Sequence, residues 1–439
     1  MQYAPRGKIR GRTMEEEMGR AMEFAYGTGT LPFTLPEGMR ALTLLPRDMP
    51  GLADPAAAVA GALEKPIGSA SLLSRLREKK PRSVTVVVND ETRPTPYEAI
   101  FPPLLKVFEE AGIRDEQVVF VIATGIHEPQ SDELNSRLYG SEMTRRFRFI
   151  NHVATDAASC VDLGRTSSGY DCKINRLAVD CDFLITIGVV MPHYFAGFSG
   201  GRKSILPGLA SHDTVRSNHA RMVELLDALP PIRQNPISLE MIEVAQKVGV
   251  DFIINTVTNE QRQIVFVGAG DLVQAWYAAV DVSAKMYEIP FEEQVDICIA
   301  AASGYPRDVN VYQAQKALDH AEAITRPGGT IIWIGECRDG LGEKVFEKWL
   351  NKKLAPEELM RQFKGNFELG GHKAYAIAKV ASSRKVRLIS SLSRPTTELL
   401  FCSKAENVQE AFDEALKVYG PGASVAILPQ GSLTLPVKK

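Results

Sequence analysis

The sequence is poor in the features that usually betray a function by composition. Its six cysteines, Cys160, Cys172, Cys181, Cys298, Cys337 and Cys402, contain no Cys-x-x-Cys pair. That argues against a zinc ribbon or a dithiol redox centre and for buried free thiols. No apolar run reaches the ~18 residues that a membrane-spanning helix needs. The formal net charge is only −2 over 439 residues, so no basic field draws in nucleic acid. The N-terminal Arg6, Lys8, Arg10 and Arg12 are not followed by an apolar stretch and run into Glu15-Glu16-Glu17, which speaks against a targeting peptide. A cytoplasmic protein with neither nucleic-acid nor membrane partner is expected. There is no internal repeat and no low-complexity tract.

What is present is a regular alternation of short apolar strands and amphipathic helices. Val84–Val88, Val118–Ala123 and Phe183–Val190 read as buried strands, with Ala99–Ala111 as a helix between the first two. Nearly continuous apolar strands spaced by helices indicate βαβ units and a doubly wound, mostly parallel sheet. A second series starts at Val295–Ala300 and continues through Thr330–Ile334, Val386–Ser390 and Val425–Leu428. The chain exceeds the ~250–300 residues at which one core splits. The fold class is therefore α/β with two domains: a larger one over 1–288, a smaller one over 291–420, and a tail, 421–439, expected to return to the first. Met14–Phe24 reads as a peripheral helix.

Each strand of the first series ends in a polar cluster: Asp90-Glu91-Thr92-Arg93-Pro94, then Thr124-Gly125-Ile126-His127, then Pro192-His193 through Gly200-Gly201-Arg202-Lys203. Ligands of open α/β sheets bind beyond the carboxyl ends of the strands, so these segments are expected to converge. The glycines at 197, 200 and 201 suit a loop that turns sharply and offers N–H groups to an anion. The Walker phosphate-loop pattern fails, because Arg202 separates Gly201 from Lys203 and Pro207-Gly208 follows at once.

Of seven histidines, His127 and His193 follow strand ends and suit general acid–base work. His219, on a probable helix, is a metal candidate. Lys203 reads as an attachment nucleophile or an anion contact. Arg93 and Lys316 suit a carboxylate. The plainer readings are a solvated lysine, surface ion pairs, turn caps for Asp90 and Asp308, and a packing role for Phe195. His152, His212, His320 and His372 are left as structural or surface residues.

Together, Asp90–Pro94, Ala123–Pro129, Pro192–Lys203 and Gly304–Lys316 resemble the nickel-pincer-dependent lactate racemase family, in order and with family-like spacing. The resemblance implies two α/β domains with an active site in the cleft between them. It also implies a nickel-pincer nucleotide, a pyridinium-3-thioamide-5-thiocarboxylic acid mononucleotide carrying Ni, supplied by cofactor-synthesis proteins. It places Lys203 as the tether and His219 as the nickel ligand. His127 and His193 become the acid–base pair. Asp90, Phe195, Gly200, Gly201 and Tyr312 line the cofactor, and Arg93, Gln313 and Lys316 hold the substrate. The implied reaction is racemisation or epimerisation of a 2-hydroxy acid, by proton-coupled hydride transfer through a 2-oxo acid. Arg202 reads as an extra charge suited to a second carboxylate or phosphate, or as a solvated side chain, and Gly370–Lys373 as a segment lining the substrate. Two other readings stay open: a nucleotide- or phosphate-binding transferase that uses the glycine loop without nickel, and a small-acid sensor without chemistry.

Overall fold

The computed structural model describes the backbone of Met14–Glu15 and residues 21–227 and 229–439. The chain divides into two compact units, one continuous, Asp48–Ala284, and one built from both ends, up to Arg47 and from Lys285 to Lys439.

The middle unit holds a six-stranded sheet. Its order is Ile264–Gly270, Phe252–Thr258, Phe183–Val189, Val84–Asn89, Val118–Ala123, Arg148–Asn151. All neighbours are parallel except the first pair. Val84 to Val88 are all buried. Val84, Val86 and Val88 pack with Phe120, Ile122, Ile185 and Ile187. On the opposite face, the Thr85 hydroxyl donates to the Leu177 carbonyl at 2.6 Å. A strand covered on both faces has no use for alternation, which is why the sequence shows an apolar run. Helix Pro55–Glu64 starts where the Asp54 side chain accepts the Ala57 N–H at 2.9 Å. Helix Tyr97–Ala111 buries Ile100, Phe101, Leu104 and Phe108. An Ala in place of one such buried aliphatic or aromatic costs about 2–5 kcal/mol.

The unit built from both ends holds a seven-stranded sheet. Its order is Met14–Glu15, Ala41–Thr43, Val425–Leu428, Val295–Ala301, Thr325–Ile334, Lys385–Ile389, Ser403–Lys404, parallel after its first pair.

Three expectations are corrected. The domain boundaries 1–288 and 291–420 do not hold. Ala41–Thr43 pairs with Val425–Leu428, and Phe33 packs edge-on to Phe412 at 5.1 Å, so the N-terminal segment belongs with the C-terminal sheet. The tail 421–439 stays in that unit as well, because Leu435–Lys438 pairs in parallel with Glu288–Phe291. The helix expected over Met14–Phe24 lies partly outside the described residues. Where it is described, Ala21–Tyr26 is a strand paired with Gly29–Thr34 in a hairpin. Among the described residues, no helix is long and apolar enough to cross a membrane.

Candidate active site

Three neighbouring parallel strands of the middle unit, Phe183–Val189, Val84–Asn89 and Val118–Ala123, release the three clusters at their carboxyl ends. The loops are tied to each other. The Glu91 N–H donates to Gln130 Oε1 at 2.6 Å, and the Gly125 N–H to the Gly208 carbonyl at 3.0 Å. The loops that carry the middle-unit residues therefore lie together beyond the sheet.

Asp90 and His127 form a pair, with Oδ2 to Nδ1 at 2.6 Å. The carboxylate is 7% exposed and the imidazole 54%. Asp90 Oδ1 also accepts the Thr92 hydroxyl at 2.6 Å and the Thr92 N–H at 3.2 Å, so it caps its turn as well. Burial works against charge on Asp90, but the hydrogen bonds from His127 and Thr92 outweigh it and hold the carboxyl below its ordinary value. An ionised acceptor fixes the proton of a neutral His127 on Nδ1 and turns the Nε2 lone pair outward.

His193 has the opposite arrangement. The Ala196 N–H donates to its Nδ1 at 3.4 Å, while its Nε2 lies 3.3 Å from Lys203 Nζ. A neutral His193 then carries its proton on Nε2. Burial first, then the Arg93 and Arg202 guanidiniums, hold the Lys203 amine well below the ordinary lysine value. A neutral amine can accept from His193 and can act as a nucleophile.

Phe195 links the remaining residues. Its ring lies 4.7 Å from His193 and 4.8 Å from His219, both edge-on, and 5.3 Å from Lys203 Nζ. His219 sits in the last turn of helix His212–Ala220, which begins at the Ser211 cap. Burial first, then the Lys203 amine, push its imidazole down to about 3 against a pull from the Val215 carbonyl. Its Nδ1 is buried with no hydrogen-bond partner. The neighbouring Asn218 and Thr166 both donate to buried Glu240, at 2.7 and 2.8 Å, which anchors the helix that carries His219.

The glycine loop is a correction. The Gly201 N–H, expected to face an anion, donates to Asn255 Oδ1 at 2.9 Å. Gly200 and Gly201 have φ of +77° and +51°. A Cβ on Gly200 would lie 2.6 Å from Val190 Cγ2, and one on Gly201 would lie 2.9 Å from Trp276 Cδ1. These glycines let the loop press against strand and tryptophan, and the Gly201 N–H is spent on the scaffold. Arg202 is neither solvated nor free for a second carboxylate. It is fully buried, stacked 3.7 Å over Trp276 and bonded to loop carbonyls. Asn255 and Trp276 went unnoticed in the sequence, although an asparagine amid Phe252-Ile253-Ile254 breaks an apolar strand and marks a polar task.

Tyr312, Gln313 and Lys316 lie in the other unit, on helix Val311–Ile324. Gln313 and Lys316 are exposed. Tyr312 is half-buried, and burial raises its phenol to about 12. His372 and Lys373 are buried, and the Lys373 amine donates to Gln315 at 2.7 Å instead of lying open to a ligand. Among the described residues no group of three or more His, Cys, Asp or Glu stands close enough to hold a metal.

Two family models match the chain, the lactate racemase N-terminal domain over residues 26–227 and the lactate racemase C-terminal domain over 291–435. A lactate racemase of Lactiplantibacillus plantarum is 34% identical over 84% of this chain and 88% of its own. One of Thermoanaerobacterium thermosaccharolyticum is 29% identical over 93% and 97%. The structure of the lactate racemase apoprotein from Thermoanaerobacterium thermosaccharolyticum superposes with a TM-score of 0.85, at 27% identity, over 95% of this chain and all of that one. A Thermotoga maritima protein shares the fold, with a TM-score of 0.61 at 19% identity. The chain belongs to the lactate racemase family of isomerases.

Proposed function

We propose that the protein racemises or epimerises a 2-hydroxy acid, lactate being the first candidate, with His127 and His193 as its acid–base pair. The observation that carries this reading is the opposed hydrogen bonding of the two rings: Nδ1 of His127 meets the Asp90 carboxylate, which favours a proton there, whereas Nδ1 of His193 meets the Ala196 N–H, which favours the proton on Nε2. A racemase must take the hydroxyl proton from one enantiomer and return one to the other. One imidazole ready to accept and one ready to donate meet that need in either direction. Arg93 can grip the carboxylate with two parallel hydrogen bonds. We assign Gln313 and Lys316 to the substrate as well, on their place in the motif.

The residues also fit the nickel-pincer nucleotide that the resemblance implies. Lys203 offers for the tether an amine whose charge burial disfavours. His219 offers an imidazole that stays neutral, as a metal ligand must, and its buried Nδ1 makes no hydrogen bond. One histidine suffices where the organic group brings its own sulfur and carbon ligands. When bound, such a group supplies a hydride acceptor and donor for C2, which spares the site an unstabilised carbanion. Asp90, Phe195 and Tyr312 would line it. The transferase alternative loses its main support, because the Gly201 N–H is already engaged.

The test is the protein made alongside the cofactor-synthesis proteins. Intact mass is expected to show one adduct, peptide mapping to place it on Lys203, and metal analysis to find nickel. A panel of 2-hydroxy acids is then followed by chiral chromatography, with lactate expected to racemise. Neither adduct nor nickel in that material would falsify the reading.

A further inference from the structure

The Arg202 guanidinium is fully buried, and the Tyr277 hydroxyl favours its charge against that burial. In place of a counter-ion it has the backbone of its own loop. Nη1 donates to the carbonyls of Phe198 at 2.9 Å, Ser199 at 3.4 Å and Gly200 at 3.3 Å. Nη2 donates to the Ala196 carbonyl at 2.9 Å and to Ser238 Oγ at 3.0 Å. The indole of Trp276 stacks beneath it and donates to the Ser199 carbonyl at 2.9 Å. Burying a charge without a paired anion is costly, and an apolar side chain would fill the same space. An apolar side chain would not gather four carbonyls. The residues that flank this wrap are the ones the site uses: Phe195 just before it, its carbonyl bonded by Asn235 at 2.7 Å, and Lys203 just after it.

We infer that Arg202 is a positioning residue for the tether: by drawing the Ala196–Gly200 carbonyls around one planar fork, it sets Lys203 against Phe195 and His193 instead of solvent. The inference rests on the reading of Lys203 as the attachment point. A lysine at 202 keeps the charge but lacks the fork, so it cannot hold several carbonyls in one plane.

The experiment compares the parent with Arg202→Lys in two preparations. In chain expressed alone, sulfosuccinimidyl acetate labels amines at a temperature well below melting, and peptide mass spectrometry gives Lys203 labelling relative to exposed Lys173. In chain made with the cofactor-synthesis proteins, intact mass gives adduct yield. In Arg202→Lys the Lys203 labelling ratio is expected to rise about fivefold as the amine turns outward, and adduct yield to fall by about as much. A purely structural arginine would lower the melting temperature and leave both readouts in place. Ser238→Ala removes one contact and keeps the arginine, and moves both readouts the same way by a smaller factor. Unchanged labelling and adduct in Arg202→Lys, or in Ser238→Ala where Arg202→Lys does not fold, overturn the inference. A parent without adduct overturns the tether reading instead.

Discussion

Asp90 decides what His127 can do. Asp90→Asn keeps the shape but offers an amide that donates as readily as it accepts, so the proton is no longer held on Nδ1. The expected result is a kcat about a hundredfold lower with KM little changed, in both directions of racemisation. His127→Gln and His193→Gln are each expected to lower kcat by roughly 10²–10⁴. A second residue-scale prediction concerns pH. Burial holds His320 down to about 4 against a pull from the Gly431 carbonyl, which Nδ1 meets at 2.6 Å. An unfolded histidine titrates near ~6.5, so the folded state is favoured above that value and loses stability as pH falls towards 4. Between pH 7 and pH 5 the loss is about 2 kcal/mol. Urea midpoints at the two pH values are expected to differ less in His320→Gln than in the parent. That Asp90, His127 and Lys203 lie in loops beyond strand ends was legible, because an unbroken apolar run marks each strand. The role of Arg202 was not, since nothing in Gly-Gly-Arg-Lys tells a solvated guanidinium from one wrapped in carbonyls.

At the scale of elements, the site depends on strand ends held together by their loops. Gly208 accepts from Gly125, joining the loop of His127 to the loop of Lys203. A Cβ on Gly208 would lie 2.3 Å from the Ser204 carbonyl oxygen and 2.8 Å from Ala123 Cβ. Gly208→Ala is therefore expected to cost at least about 1–3 kcal/mol and to shift both loops, read as a lower urea midpoint and as lost adduct on Lys203. The strands at 84–88 and 118–123 could be read directly, because burial on both faces writes an unbroken apolar run. Ala21–Tyr26 could not. Its one fully buried side chain, Phe24, is held 6.1 Å from Phe33 of the partner strand, and pairing, not local pattern, makes it a strand.

At the scale of the molecule, two α/β units were readable from the alternation of elements. Their membership was not, because the partner of Ala41–Thr43 is Val425–Leu428 near the other end of the chain and nothing in either tripeptide or tetrapeptide names the other. Fragment 48–284, which contains a complete sheet and core, is expected to melt cooperatively on its own. Fragment 285–439 is expected to expose apolar surface and bind a hydrophobic dye, since Phe24 and Phe33 belong to its core. The same interleaving sets an order of events at the ribosome. The stretch that carries Lys203 is complete while residues 285–439 are still to be made, roughly 8–30 seconds at ~5–20 residues per second. Ala41–Thr43 must wait through all of it for Val425–Leu428, the strand it joins, so the nascent chain carries that edge unsatisfied long after it is made.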